Sequence, residues 1–316
     1  MMNHVTLPAL LGDSPLAILA AIGTLRLIHD FTDNNARLHW NTTDHRPVLT
    51  SSLATVDEVA EALVDIVSTM PEGVSVPGGP MGFPPPGEAP DKLRVVQGRL
   101  PALTAELSAG ASDSEITMLR SWLGSLITDL AVDSKGRGAM SQFIASSGKQ
   151  SIATMLEKPL EQVRKEPDYL RQALVSWRRV PGVTGEYLDA RATWEATDDG
   201  GGRTGRMRGV PGATWLALMS YPLWTTTALH RRARTSGWHS VAARRRSIQE
   251  LRLPLWREPL GPAGVKALVE HPALDGDLGE PLNQKIRLLG VFHICRARRH
   301  QPPGSKSAGI LTPVSR

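Results

Sequence analysis

Cysteine is nearly missing from this chain: Cys295 is the one example in 316 residues. That excludes an intrachain disulfide and a zinc site built on cysteines, and it makes a reducing cytoplasm the expected setting. Long apolar runs are missing too. The longest, residues 16–28, is broken by Gly23, Thr24 and Arg26 and is too short to cross a bilayer. No basic residue precedes it, as one would in a secretory signal, so no membrane partner is expected.

The familiar chemical signatures are also absent. There is no Gly-x-x-x-x-Gly-Lys-Ser/Thr loop, no Gly-x-Gly-x-x-Gly after a strand and no Gly-x-Ser-x-Gly elbow. The nine histidines are scattered; His29, His39 and His45 lie nearest one another, without a His-Glu-x-x-His motif. Asp30, Asp33 and Asp44 would have to converge to hold magnesium, whereas Asp and Asn after a helix are commonly turn formers. Pro167-Asp168 reads as the first turn of a helix, because no Glu-x-Lys follows it as in a nuclease motif. No catalytic residue, metal or cofactor is expected from this inventory.

What the chain does have is a charge split along its length. Residues 1–170 carry 13 Lys+Arg against 20 Asp+Glu, net −7, and residues 171–316 carry 23 against 11, net +12. An Arg-rich half of this kind suits a polyanion, since neutralising phosphates releases condensed counterions.

Helical spacing organises the first half. Ser14 as N-cap and Pro15 at N1 start an apolar helix through Ile28, with Gly23 either a close-packing point or a weak spot in it. Extended pieces are expected at residues 37–40 and 47–49. Thr55 with Glu58 predicts a capping box before the stripe Val59, Leu63, Ile66, Val67 and Met70. Seven prolines and five glycines between Pro71 and Pro90 predict a loop or linker. Residues 91–107 read as a helix bent at Pro101. Ser112 with Glu115 opens another, striped by Ile116, Leu119, Leu123, Leu126 and Leu130. A mobile loop at 133–138, a strand at 139–144 and helices at 150–165 and 167–177 complete the acidic, mainly helical region 1–170.

In the basic region 171–300, an extended piece at 191–195 precedes a flexible glycine- and arginine-rich loop at 198–209. A helix at 213–220, strands at 231–238 and 247–256, a helix at 262–270 and a strand at 286–299 follow, before a flexible tail, residues 301–316. Helices and strands without regular alternation predict an α+β fold with mostly antiparallel strands and no doubly wound sheet.

Three arginine clusters are the candidate nucleic-acid-binding residues: Arg203, Arg206 and Arg208; Arg231, Arg232 and Arg234; and Arg244, Arg245 and Arg246. Guanidinium groups suit bidentate phosphate contacts and base-edge reading, although a solvated face and Arg-rich coding are the plainer explanation. Trp238, beside Arg234, is the tryptophan expected to be exposed for stacking on a base, worth about 1–3 kcal/mol. Trp215 and Trp224 flank an apolar helix and read as core. Lys135, Arg137 and Lys149 are further candidate contacts from the acidic half.

Several short segments carry a resemblance: Leu7-Pro8-Ala9-Leu10, Ser14-Pro15-Leu16, Gly23-Thr24-Leu25-Arg26-Leu27, Trp215-Leu216-Ala217-Leu218, Tyr221-Pro222-Leu223-Trp224, Thr235-Ser236-Gly237-Trp238 and Leu253-Pro254-Leu255-Trp256 with Pro259-Leu260. Together they resemble subunits of the type I-G (I-U) CRISPR systems, most of all the large-subunit-related proteins, including an extension family that accompanies the helicase-nuclease. Residues 50–140 have no counterpart, and the chain is short for a full large subunit. The resemblance implies a non-catalytic subunit of an RNA-guided surveillance complex, in which guide pairing reads sequence while protein subunits hold the backbone and read a short flanking motif. Its implied partners are crRNA, double-stranded target DNA, or both, on the Arg-rich side, and other CRISPR effector subunits on the acidic side. A metal-dependent nuclease with an unrecognised carboxylate site and a protein-binding adaptor are the alternatives.

Overall fold

The helix that opens the fold is apolar on every side, so it must run through the middle of the protein. In the computed structural model, α1 (Pro15–Phe31) is buried continuously from Pro15 to Ile28, and Ser14 Oγ caps it by accepting from the Ala17 N–H. The structure describes residues 2–86, 91–145, 151–192, 207–229, 231–243, 246–301 and 309–314, with Ala243 and Arg246 by their backbone alone.

β1 (Asn3–Thr6) precedes α1, and after that helix come β2 (Arg37–Trp40), β3 (Pro47–Ser51), α2 (Val56–Ser68), α3 (Leu100–Leu107), α4 (Asp113–Leu126), β4 (Ile127–Val132), β5 (Gly138–Met140), α5 (Ile152–Lys165) and α6 (Asp168–Val175). The basic half contributes β6 (Val180–Pro181), β7 (Arg208–Gly209), α7 (Pro211–Met219), β8 (Thr226–Leu229), β9 (Arg232–Thr235), β10 (Trp238–Ala243), β11 (Arg246–Trp256), α8 (Pro262–Val269), α9 (Gln284–Leu288), β12 (Val291–His300) and β13 (Ile310–Pro313).

Every described strand pairing is antiparallel. The strands form a three-stranded sheet, β1-β3-β2, a four-stranded sheet, β10-β11-β12-β13, and the ribbons β4-β5, β6-β7 and β8-β9. The fold is α+β.

The two charge halves share one core. α7 is buried along all nine residues and lies on α1. Contact is at the backbone: a Cβ on Gly23 would sit 1.7 Å from the Leu216 carbonyl oxygen. Gly212 plays the same part against α6, where a Cβ would meet the Tyr169 carbonyl oxygen at 2.0 Å. Farther along, Leu38 and Leu260 exchange two main-chain bonds of 2.8 and 2.9 Å, and the Trp256 indole donates to the Leu38 carbonyl at 2.7 Å. The hydrophobic cluster therefore runs from Val5 to Leu311.

Several expectations need correction. Residues 71–86 are a loop but not a linker, because Val74, Val76 and Phe83 are buried in the core. Thr55 caps α2, yet Glu58 accepts from the Ala54 N–H, so the reciprocal box is not formed. Residues 91–99 are turns, and helix begins at Leu100, with Pro101 in the first turn where its missing N–H costs nothing. α4 stops at Leu126, and the stripe's last member, Leu130, lies on strand β4 with its side chain 66% exposed. The loop 133–138 is tied down by Asp133, which accepts from the backbone N–H groups of Lys135 and Arg137. Residues 284–288 are helical ahead of β12, and the tail returns as β13, whose Leu311 is fully buried.

Candidate nucleic-acid interface

The cluster Arg231, Arg232 and Arg234 falls on a β-hairpin, with the first two residues at its far end. β8 and β9 pair from Thr226 with Thr235 out to Leu229 with Arg232, and Arg231 lies in the loop that joins them. The base of this ribbon is buried and bonded: Thr226 Oγ1 donates to the Ser125 carbonyl at 2.6 Å, and Thr235 Oγ1 lies 3.1 Å from Ser141 Oγ. Exposure then rises along the ribbon, and Leu229 is 49% exposed next to the loop. Arg231 and Arg232 are both exposed there. No carboxylate pairs with either among the described residues.

Arg231 has φ +64°, a left-handed conformation that Gly or Asn adopts cheaply and that a long side chain enters at about 1 kcal/mol or more. A turn designed for stability alone would not place arginine there.

In the second hairpin, β10 with β11, the last described pair is Ala243 with Arg246. Arg244 and Arg245, and the Arg246 side chain, lie outside the described residues. Gln142 joins the two ribbons. Its Oε1 accepts from the Thr235 N–H at 2.8 Å and its Nε2 donates to Gln249 Oε1 at 2.7 Å.

The other predicted residues divide. Arg234 is committed to an ion pair with Asp275, which also meets His239 Nδ1 at 3.1 Å. Arg208 belongs to β7 rather than to a flexible loop, because Gly209 lets that strand come within contact of Val183. Arg137 binds Asp133 at 2.7 Å, and Arg94 reaches the same carboxylate at 2.8 Å. The Arg137 hydrogen bond holds Asp133 well below the usual carboxylate range. Lys135 stays exposed. Lys149, Arg203 and Arg206 lie outside the described residues.

Trp238 corrects the expectation of an exposed stacking face. It is 2% exposed, with Phe143 edge-on at 5.6 Å and the Arg299 guanidinium 5.6 Å from its ring centroid. Its cation is thus supplied from within the protein. Arg299 is buried against the Gln142, Phe143 and Gly309 carbonyls, and burial lowers its pKa to about 10.

Sequence reasoning missed a second basic feature on the outer face of the four-stranded sheet. Glu250, fully buried, accepts from Arg296 at 3.0 Å and Arg298 at 2.7 Å and lies 3.3 Å from Arg252. Burial pushes its pKa up, but the two guanidinium bonds outweigh that and leave it lowered. Arg296 and Arg298 remain 42% and 36% exposed. The signal was available: arginines two apart in a strand must share a face.

The metal candidates do not converge. Asp30 pairs with Arg26 and His29, Asp33 ties residues 35 and 52 together, and Asp44 pairs with Arg46. His39 stands edge-on to His4, whereas His45 packs on His293 at 4.8 Å. Among the described residues no three His, Cys, Asp or Glu side chains group to hold a metal ion. No described helix is long and apolar enough to cross a membrane.

No protein-family model matches this chain, and no curated protein matches it either.

Proposed function

We propose that the chain is a non-catalytic, large-subunit-like component of a type I CRISPR RNA-guided surveillance complex, holding crRNA or target duplex by the end of its basic β8-β9 hairpin. One observation carries the nucleic-acid reading: Arg231 and Arg232 stand exposed at the end of an anchored ribbon, with Arg231 in a backbone conformation that disfavours it. Backbone strain at an exposed charged residue is a mark of function rather than of stability. A two-stranded ribbon also fits the major groove of B-form DNA, and arginine offers a bidentate match to phosphate or to guanine. The CRISPR assignment rests on the resembling segments at both ends of the chain.

The test is binding of labelled single-stranded RNA and duplex DNA across a salt series. Arg231→Ala with Arg232→Ala should reduce the slope of log affinity against log salt by about two, one for each phosphate-binding arginine removed. An unchanged slope rejects the ribbon as the interface. Failure of the intact chain to bind either polymer rejects the reading altogether and favours an adaptor that meets an acidic protein.

A further inference from the structure

The four-stranded sheet is incomplete along one edge. β13 pairs with β12 only from Ala297 to His300, and a single further bond joins the Val314 N–H to the Arg296 carbonyl at 2.8 Å. Before that point β12 is bonded to β11 on one side and, among the described residues, to no strand on the other.

The direction of the open groups follows from the register. The Arg252 N–H donates to the Gly237 carbonyl, toward β10, so its partner across the ladder, Arg296, turns its main-chain groups away from β11. Alternation gives Ile294 the same outward direction. No described residue bonds to the Ile294 main chain. Natural edges are commonly blunted by proline or lysine, and this one, Val291-Phe292-His293-Ile294, holds neither; its register shifts by one residue at Phe292, and Val291 and Ile294 keep their side chains buried.

That edge lines a cleft of about 1310 Å³, whose other walls are residues 13–15, 188–191 and 278–288, with 312–314 where β13 stops. The volume exceeds what drug-sized ligands occupy, roughly 300–1,000 Å³, and suits a length of polymer. Arg191, Arg257, Arg287 and Arg296 face it against Asp13, Asp189 and Glu280. Asp189 is bound to Arg179 at 2.7 Å, Arg296 to Glu250 at 3.0 Å and Arg191 to Asp13 at 3.8 Å, which leaves Arg257 and Arg287 against Glu280 and a positive balance. Leu288, 78% exposed, adds an apolar contact at the rim.

We infer that this cleft receives an extended, acidic segment of a partner protein, which adds to the sheet as a strand beside β12 where β13 leaves off. A nucleic-acid strand carries no regular ladder of amides and carbonyls to match the open main chain, and it would bring phosphates against Asp13 and Glu280. A peptide supplies both the ladder and side chains that alternate between the two walls.

The experiment is fluorescence anisotropy of the full chain with a labelled peptide of about ten residues, long enough to span the open edge, alternating Val and Glu. Two further peptides carry N-methyl groups on alternate amides, one at each parity. Binding should survive methylation at one parity and be abolished at the other, because a strand directs only every second amide to its neighbour. Arg257→Glu with Arg287→Glu, both exposed side chains, should weaken binding about tenfold or more. Amide exchange at Ile294 should slow on adding peptide.

Arg231→Ala with Arg232→Ala should leave peptide binding unchanged, which separates this inference from the nucleic-acid reading. The inference is overturned if the peptide fails to bind at millimolar concentration, or if both methylated forms bind equally. It is overturned equally if oligothymidylate binds and the peptide does not, with that binding abolished by the Arg257/Arg287 reversal.

Discussion

Arg26 Nη1 donates to the carbonyl oxygen of Met219 at 2.7 Å, and this bond crosses the seam between α1 and α7. Met219 is the last residue of α7, so its carbonyl is one of those a helix end leaves without an internal partner. The guanidinium also favours the negative end of the helix dipole. Its remaining contacts are Asp30 at 3.3 Å, Met118 Sδ at 2.9 Å and the Trp122 ring at 5.6 Å. Burial lowers its pKa to about 10, which still leaves it charged at neutral pH. Arg26→Met keeps most of the volume and removes the donor, leaving a buried carbonyl unsatisfied. A loss of about 3 kcal/mol is expected in urea unfolding. A loss below about 0.5 kcal/mol would show the bond to be dispensable.

Two glycines in helices make an opposed pair of tests. Ala is the better helix former by about 1 kcal/mol, so propensity alone predicts that either Gly→Ala change stabilises. At Gly23 the added methyl would overlap the Leu216 carbonyl, and α1 and α7 would have to move apart. At Gly124, exposed on α4, the methyl meets nothing within 4 Å. Gly23→Ala is expected to cost about 3 kcal/mol or more, whereas Gly124→Ala gains about 0.5–1 kcal/mol. Thermal unfolding of the two variants side by side reads both signs, and a stabilised Gly23→Ala would contradict the backbone contact.

How far the sequence discloses this fold depends on whether the deciding interaction is local. Ser14-Pro15 and Ser112 with Glu115 act within one turn, and both helix starts stand where those residues put them. Gly23 allows two readings from sequence, a close-packing point or a weak spot, and only the approach of the Leu216 carbonyl selects the first. Arg26 reads as a flaw in an apolar run, because its partner lies 193 residues away. Leu130 fails for a related reason: helical spacing continues past Leu126, but the chain there pairs with Gly138–Met140 instead. The arginine clusters show the same limit. Composition separates basic from acidic halves, yet which guanidinium groups meet solvent is set by distant carboxylates such as Asp275, and the Arg296/Arg298 pair shows only when strand period is applied to residues 294–299.

His239 gives the chain an acid-sensitive step. It is nearly buried, with Asp275 on Nδ1 and Arg252 and Arg234 nearby. Burial, aided by the Arg252 charge, lowers its pKa from 6.5 to about 4. In the unfolded chain the imidazole takes up its proton near 6.5, while the folded form resists until about 4. Between those values the unfolded state binds the extra proton, so stability falls as pH drops through the window and levels off below it. The full contribution is at most about 3 kcal/mol. His239→Gln should flatten the stability profile over that window relative to the parent, measured by urea unfolding at successive pH values. Parallel profiles for the two proteins would assign the acid sensitivity elsewhere.

Arg231 lets stability and binding be set against each other. If its side chain is kept for a ligand, the turn bears a conformational cost that a better turn former would remove. Arg231→Asn accepts φ +64° readily and should raise the unfolding free energy by about 0.5–1 kcal/mol, because the left-handed conformation costs most residues about that much more than it costs asparagine. The same substitution should lower the salt slope of RNA or duplex binding by about one unit, as one cation leaves the ribbon end. Arg232→Asn is the control: it sits on a β-strand where asparagine is disfavoured, so it should lower the slope equally without the gain in stability. A stabilised Arg231→Asn protein that binds nucleic acid with an unaltered salt slope would break the link between the strained turn and the polyanion.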